Sequence, residues 1–342
     1  MLSRARVQGY KCLRDVTVEL GRFNVLIGRN DSGKSAFLQA MAEPSLALLR
    51  WHPTSPAEVS RGDWTIALEG ETGVFLFDSA QYNKPRYQHP AGPEDTLNFL
   101  SRRQAEIWFA SHHELATTDP VSLDPGHIAL HSPAKDAAID AFVTSRGGGT
   151  AAHLAALALG DRERFDAVEG ALQEVTGGRV HRLVVKDVGG STYTLAFKLH
   201  DGTVVAAQHM SQGLLLYTGF LALVHRATLP GVLLVEEPER GLHPQRLVEV
   251  ISALRGLSER GVQVLVTTHS PDVLGVCKAS EILIFHRRQP QSPTEVQRLP
   301  EDVQGASEPL GHVWSARGDE GLLELARRGR LLAAPAEADA AR

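Results

Sequence analysis

The chain has 342 residues, of which 43% are hydrophobic and 22% charged, with a net charge of −5. That usage excludes wholesale disorder and a low-complexity scaffold. A balance so near neutrality also excludes a global field for nucleic acid or anionic lipid, so any such contact must come from a local patch. The first 27 residues read as strands: 4–10 and 16–20 alternate in polarity, and 23–27 (FNVLI) is the continuous apolar run of a buried central strand. Residues 28–35 form a Gly-rich turn. A helix is predicted over 35–43, stopped before Pro44, with a Pro/Ser/Arg-rich loop over 44–62. Residues 64–70 and 73–79 read as a hairpin. Between 81 and 150 only 96–108 has helical character. A helix over 150–175 ends at Gly177–Gly178, and 182–188 and 192–199 form a hairpin across Gly189–Gly190, continued by 201–207. From 211 the pattern is α/β: helix 211–227, strand 231–237, helix 245–260, strand 262–270, short helix 271–276, strand 281–286 and a last helix over 318–330.

Two cysteines, Cys12 and Cys277, exclude a disulfide framework and a zinc site of paired Cys-x-x-Cys motifs, and fit a reducing compartment. No segment has a signal-peptide core or the roughly 18 apolar residues of a membrane span. The richest, 214–224, is interrupted by Tyr217, Thr218 and Gly219. A soluble cytoplasmic protein without a membrane partner is expected. No internal repeat and no sustained heptad pattern occur, which excludes a long coiled-coil arm.

Gly28-Arg29-Asn30-Asp31-Ser32-Gly33-Lys34-Ser35 satisfies G-x-x-x-x-G-K-[ST] at every fixed position, between an apolar strand and a helix. Gly28 and Gly33 let the backbone curl so that its N–H groups face phosphates, and the helix N-terminus that Ala36 continues adds positive potential. Lys34 supplies charge at the β- and γ-phosphates, and Ser35 a hydroxyl for Mg²⁺. Val232–Val235 then forms a Walker B strand with Glu236 and Glu237 at its C-terminal end, where open α/β sheets place ligands. One carboxylate can hold Mg²⁺, and the next can polarise an attacking water. His269 ends the neighbouring strand, where it can contact the γ-phosphate or that water. Ser211 and Gly213 open a helix, which suits either simple capping or a phosphate contact.

In order and spacing, FNVLIGRNDSGKS, MSQGLLLY, LLVEEPERGLHP and VLVTTHSP resemble the ABC-type ATPase heads of the RecF, SMC and OLD-like group, as stand-alone AAA-family ATPases. The resemblance spans about residues 1–290 and includes the N-terminal VQGYKCLRDVTVEL and the helical segment from 147 to 172. It implies an α/β P-loop NTPase with a mixed central sheet, an antiparallel β-subdomain and a helical lobe. One composite head over 1–330 is expected, with 1–80 and 211–300 as nucleotide-binding core, 81–210 as an inserted lobe and 331–342 as a disordered tail. It implies ATP and Mg²⁺ as cofactors, Gly28–Ala36 as nucleotide-binding residues, Ser35 and Glu236 on the metal, and Lys34, Glu237 and His269 as catalytic residues. Ser211 and Gly213 would act on the nucleotide of the opposite subunit, and Arg240–Pro244 would be the D-loop.

Three positions depart from the family pattern. The metal-side acid is Glu236 rather than Asp, the signature is the short MSQG, and His243 lies in the D-loop where an Asp is usual. Gln81, with Gln88 and Gln104 as competitors, is the candidate Q-loop residue. The stretch after His269 is too short for the Toprim domain of OLD-family nucleases. Glu301–Asp302 and Asp319–Glu320 read as solvated loop and helix-cap acids. His112, His113 and Glu114, with His127 and His131, lack a metal-binding spacing. Arg102–Arg103, Arg179 with Arg182, and Arg287–Arg288 are candidate anion patches for DNA.

The expected function is an ATP-hydrolysing switch that forms a head-to-tail homodimer, in DNA repair or anti-phage defence, alone or with a separately encoded effector. The alternative is a nucleotide-sensing adaptor with negligible hydrolysis. A transporter's energising subunit is disfavoured by the N-terminal strands and the short signature, and a phosphotransferase by the lack of an acceptor-binding motif.

Overall fold

A computed structural model describes residues 1–49, 63–79, 86–88, 94–96, 120–129, 132–133, 145–190, 192–226, 229–289, 291–301 and 309–333. The chain runs β1 (Leu2–Tyr10), β2 (Leu13–Glu19), β3 (Phe23–Ile27), α1 (Lys34–Leu49), β4 (Thr65–Gly70), β5 (Val74–Asp78), β6 (Arg86–Gln88) and β7 (Glu94–Thr96). Then follow α2 (Pro125–Ala129), β8 (Ser132–Pro133), α3 (Thr150–Gly160), α4 (Arg162–Val175), β9 (Val180–Asp187), β10 (Thr192–Leu199), β11 (Val204–Ala206) and α5 (Gln212–Val224). The last elements are β12 (Val232–Glu236), α6 (Pro244–Glu259), β13 (Gln263–Thr267), α7 (Pro271–Gly275), β14 (Ile282–His286), β15 (Glu295–Arg298) and α8 (Leu310–Ala333). Two compact units result, one of Met1–Thr117, Gly231–Leu234 and Gln263–Arg342, the other of Thr118–Pro230 and Val235–Val262.

The first unit holds two sheets. One is six-stranded in the order β2-β1-β4-β5-β6-β7, with antiparallel pairs throughout. The other is five-stranded, β12-β13-β3-β14-β15, with β13 and β14 parallel to β3 on either side and β15 antiparallel to β14. Alternation decides the faces of β1 over 4–7: Ala5 and Val7 point into the core, while Arg4 and Arg6 point out to Glu19, Glu69 and Asp15; the positive φ of Gly9 breaks the alternation, and Tyr10 is buried as well. Every residue of β3 is buried, as its unbroken apolar run predicts for a central parallel strand. Phe37, Leu38 and Met41 of α1 share the core with these strands, the Phe37 and Phe285 rings 5.5 Å apart. Buried Gln263 ties β13 to the chain start by accepting from Leu2 N–H at 3.1 Å and donating to the Leu2 and Gly21 carbonyls.

The second unit places α3 and α4 against the β8–β11 sheet, in which β10 is flanked by β9 and β11. Helix α5 is buried on all sides from Leu214 to Val224, which accounts for its apolar run. Among the described residues, no helix is long and apolar enough to cross a membrane.

Several boundaries differ from those predicted. The 150–175 segment is two helices, because Asp161 starts a new one by accepting from Arg164 N–H at 3.2 Å. Helix α1 continues through Pro44 to Leu49. The last helix starts at Leu310, breaks at Gly318 (φ 60, ψ −153) and runs to Ala333, so the tail expected from 331 begins as helix. Thr96 ends a strand, and the helix predicted beyond it lies outside the described residues.

Candidate functional site

In the first unit, β3 delivers its chain end to the Gly28–Ala36 loop between the C-terminal ends of parallel β13 and β14. Two glycines are required here, Gly28 by the backbone beside it and Gly33 by its positive φ. A Cβ on Gly28 (φ 143) would lie 2.0 Å from the Phe285 carbonyl oxygen, and one on Gly33 (φ 105) 2.7 Å from Leu13 Cδ2. Asp31 adopts φ 64, while Arg29, Asn30 and Asp31 are exposed. Lys34 is buried; its Nζ donates to the Gly28 carbonyl at 2.7 Å and the Arg29 carbonyl at 3.0 Å. The Ser32 hydroxyl is buried with no hydrogen-bond partner among the described residues. Ser35 is half-buried, and Ala36 is packed in the first turn of α1.

His269 follows β13. The adjacent Thr268 N–H donates to Leu26 O on β3 at 3.1 Å, which fixes this crossing beside the loop. Gly28, Arg29 and His269 line one cavity of about 460 Å³ with Pro271 and the α8 residues Trp314 and Asp319.

In the second unit, Glu236 ends β12, and its N–H donates to Val121 O at 2.8 Å. Glu237 takes the left-handed conformation (φ 45), and its Oε2 accepts from Arg240 Nε at 2.5 Å. Ser211 is the N-cap of α5 by backbone geometry, yet its hydroxyl makes no cap bond. Gly213 passes close to the following turn: a Cβ there would be 3.3 Å from Gly241 O. Ser211, Gly213, Tyr217, Arg179 and Arg246 line a cavity of about 310 Å³. Burial, with Glu249 nearby, pushes the Tyr217 hydroxyl upward from its usual range, so it stays a neutral donor. Arg246 is committed to Glu249 and the Val175 carbonyl.

The AAA ATPase domain family model matches residues 1–43. A second family model, described as AAA domain, putative AbiEii toxin, Type IV TA system, matches residues 152–275. Among solved structures, an Smc head bound to the C-winged helix domain of ScpA is similar, with TM-score 0.56 and 14% identity over 87% of this chain and 98% of that one. The chain has the fold of an Smc head. An Smc head with an extended coiled coil, bound to the C-terminal domain of ScpA derived from Pyrococcus furiosus, agrees with this head at TM-score 0.53 and 13% identity, over 87% of this chain and 96% of that one. No curated protein sequence matches the chain.

Reading the sequence of the head missed the supports of its phosphate loop. Asp319, expected to be solvated, is 7% exposed: its Oδ2 accepts from Arg29 N–H at 2.9 Å and its Oδ1 from Trp314 Nε1–H at 3.0 Å. Buried Thr294 donates from Oγ1 to Ser32 O at 2.9 Å and accepts from Arg287 Nε at 3.1 Å. Arg287 also donates to Cys12 O, and Arg288, which is exposed, pairs with Glu295. His243 is the N-cap of α6, its Nδ1 facing Gln245 N–H at 3.4 Å. Arg179 and Arg182 are exposed. Arg102, Arg103, His112, His113, Glu114, His131, Gln81 and Gln104 lie outside the described residues, while Gln88 is exposed at the end of β6. Pro-, His- and Arg-rich stretches carry no local signal that would have linked α8 to the loop.

Proposed function

We propose that this head is an ATP-binding, Mg²⁺-dependent ATP hydrolase that works as a switch, closing as a head-to-tail homodimer around ATP. The phosphate loop supports the reading most. Its two glycines take backbone conformations that L side chains rarely adopt, and inside it lie a buried Ser32 hydroxyl with no hydrogen-bond partner among the described residues and the Lys34 ammonium. Such a cradle of backbone N–H groups, a hydroxyl and one cation is what a triphosphate satisfies. In this reading Gly28–Ala36 hold the phosphates, and Lys34 keeps the Gly28 carbonyl while its remaining N–H donors reach the β- and γ-oxygens.

Ser35 and Glu236 offer a hydroxyl and a carboxylate, the hard oxygen donors magnesium takes when phosphates complete its shell. When bound, that ion supplies charge neutralisation across the β- and γ-phosphates. Glu237 orients a water whose oxygen attacks the γ-phosphorus as the bond to the ADP oxygen breaks, and the water's proton passes to the carboxylate and on to phosphate. His269, which lines one cavity with Gly28 and Arg29, would meet the γ-phosphate or the attacking water. Ser211, whose hydroxyl is not spent on capping, and Gly213 meet the partner's nucleotide, with the turn Arg240–Pro244 at the seam. The composite head over 1–330 is part of the same proposal.

The match to the model described as a putative AbiEii toxin supports a defence setting, with DNA repair or maintenance as the other. A separately encoded effector, or DNA at the exposed Arg179 and Arg182, would be the partner. The test is sedimentation of the purified chain with and without MgATP alongside phosphate release. ATP-dependent dimers with turnover are expected, and a monomer that ignores ATP overturns the reading. The ion pair of Glu237 with Arg240 favours a second reading, a nucleotide-sensing adaptor that dimerises with negligible turnover. The same two measurements separate them.

A further inference from the structure

The Gly28–Arg29 peptide unit is held at both of its polar ends. Its carbonyl, Gly28 O, accepts from Lys34 Nζ at 2.7 Å. Its N–H, on Arg29, donates to Asp319 Oδ2 at 2.9 Å, across 290 residues of sequence. A peptide unit is planar, so fixing the N–H direction fixes the carbonyl direction as well. Asp319 therefore sets the acceptor on which the Lys34 ammonium rests.

The carboxylate is fixed in turn. Its Oδ1 accepts from Trp314 Nε1–H at 3.0 Å, and Asp319 is 7% exposed. A carboxylate so buried is costly unless its oxygens are hydrogen-bonded, and these two donors supply that. Helix α8 breaks at Gly318, in a conformation that favours glycine, immediately before Asp319. The backbone thus departs from regular helix where the carboxylate meets the loop. The carboxylate is also the right chemical group: ionised Asp accepts at both oxygens, whereas Asn presents one acceptor and one donor.

We propose that Asp319, oriented by Trp314, is a positioning residue of the phosphate loop: by holding the Gly28–Arg29 peptide plane it places Lys34 for the nucleotide. Asp319 touches neither the nucleotide nor water in this scheme and acts through the loop. The inference rests on the ATP-binding reading above.

The test is ATP affinity, measured with a fluorescent ATP analogue and Mg²⁺, for wild type, Asp319→Asn, Trp314→Phe and the double variant, each checked for a cooperative melt. Asp319→Asn sets an NH2 against one of two N–H donors, and the dissociation constant rises about tenfold. Trp314→Phe removes one donor, leaves the other, and raises it about threefold. In the double variant the Asn oxygen accepts from Arg29 N–H with no opposing donor, so affinity returns to within about threefold of wild type. Rescue by a second substitution is an effect that general damage to the fold does not produce. Asp319→Asn binding ATP as wild type does, or a double variant weaker than Asp319→Asn, overturns the proposal. If Asp319→Asn does not melt cooperatively, Trp314→Phe decides alone, and unchanged affinity there overturns it. Wild-type protein that binds no ATP overturns the underlying reading instead, and this inference with it.

Discussion

Glu237 and Arg240 form an ion pair within the turn after β12, Oε2 to Nε at 2.5 Å, although Arg240 is 70% exposed. The turn holds Glu237 in the left-handed conformation, uncommon for a residue with a side chain. An exposed pair of this kind contributes less than about 1 kcal/mol to stability, so the fold does not depend on it. It does restrain the carboxylate proposed to orient water.

Releasing that restraint should change turnover without changing the fold. Arg240→Ala is expected to raise ATP turnover about threefold, the equivalent of well under 1 kcal/mol of restraint, with an unchanged melting temperature. Steady-state phosphate release and a thermal melt check both. Turnover lost on this substitution would mean that Arg240 assists the chemistry.

Glu237→Gln keeps shape and removes the base. Phosphate release should fall about 100-fold or more, as loss of a general base does, while ATP-dependent dimers accumulate. Sedimentation with ATP distinguishes a trapped dimer from an inactive monomer. A variant that turns over like wild type removes Glu237 from the mechanism.

Lys34→Met and Gly33→Ala should both lose ATP binding, for different reasons. Lys34→Met deletes the cation and keeps the buried stem, so the melting temperature should stay near wild type. Gly33→Ala sets a Cβ 2.7 Å from Leu13 Cδ2 at φ 105, a strain of about 1–3 kcal/mol, and should melt earlier as well. Equal melting temperatures would show that the loop has more room than its neighbours leave.

Motifs carried by contiguous residues were legible before the fold was known. The phosphate loop, the buried strands β3, β12 and β13, and the helix after Pro244 each show in a window of a few residues, because local periodicity and glycine placement dictate them. Supports built from distant residues were not. Nothing in Asp319–Glu320 distinguishes a buried clamp from a solvated cap, since the difference lies in Arg29, 290 residues away. The split at Asp161 was readable in principle, because an Asp after Gly is a helix start signal, but the apolar pattern on both sides hid it. Helix α1 reaches past Pro44, although proline is a local breaker.

Ser211→Arg tests whether the second unit's cavity acts across subunits. Ser211 is exposed and its hydroxyl makes no cap bond, so the substitution should leave the melt unchanged. Monomer affinity for ATP should also stay the same, while ATP-dependent dimerisation and turnover are lost. Weakened ATP binding by the monomer would place Ser211 on its own subunit's nucleotide and end the trans assignment.

His286, at the end of β14, should make stability depend on pH near neutrality. Burial holds its imidazolium below the usual histidine range, partly opposed by Glu295 and Asp319 and reinforced by Arg288 and Arg327. A folded-state value below the unfolded one means the unfolded chain takes up the proton first. The stabilising contribution is therefore complete above the unfolded value of about 6.5 and is lost as pH falls through the lower folded value. His225, depressed by burial beside Arg260 and Arg164, adds in the same direction. The melting temperature should fall between about pH 7.5 and 5.5, before most carboxylates titrate. His286→Gln keeps an N–H donor for the Glu295 carbonyl and a similar volume but has no proton to gain, so its melting curve should depend less on pH over that window. Parallel pH profiles for wild type and His286→Gln would show that the histidine is solvated enough to titrate alike in both states.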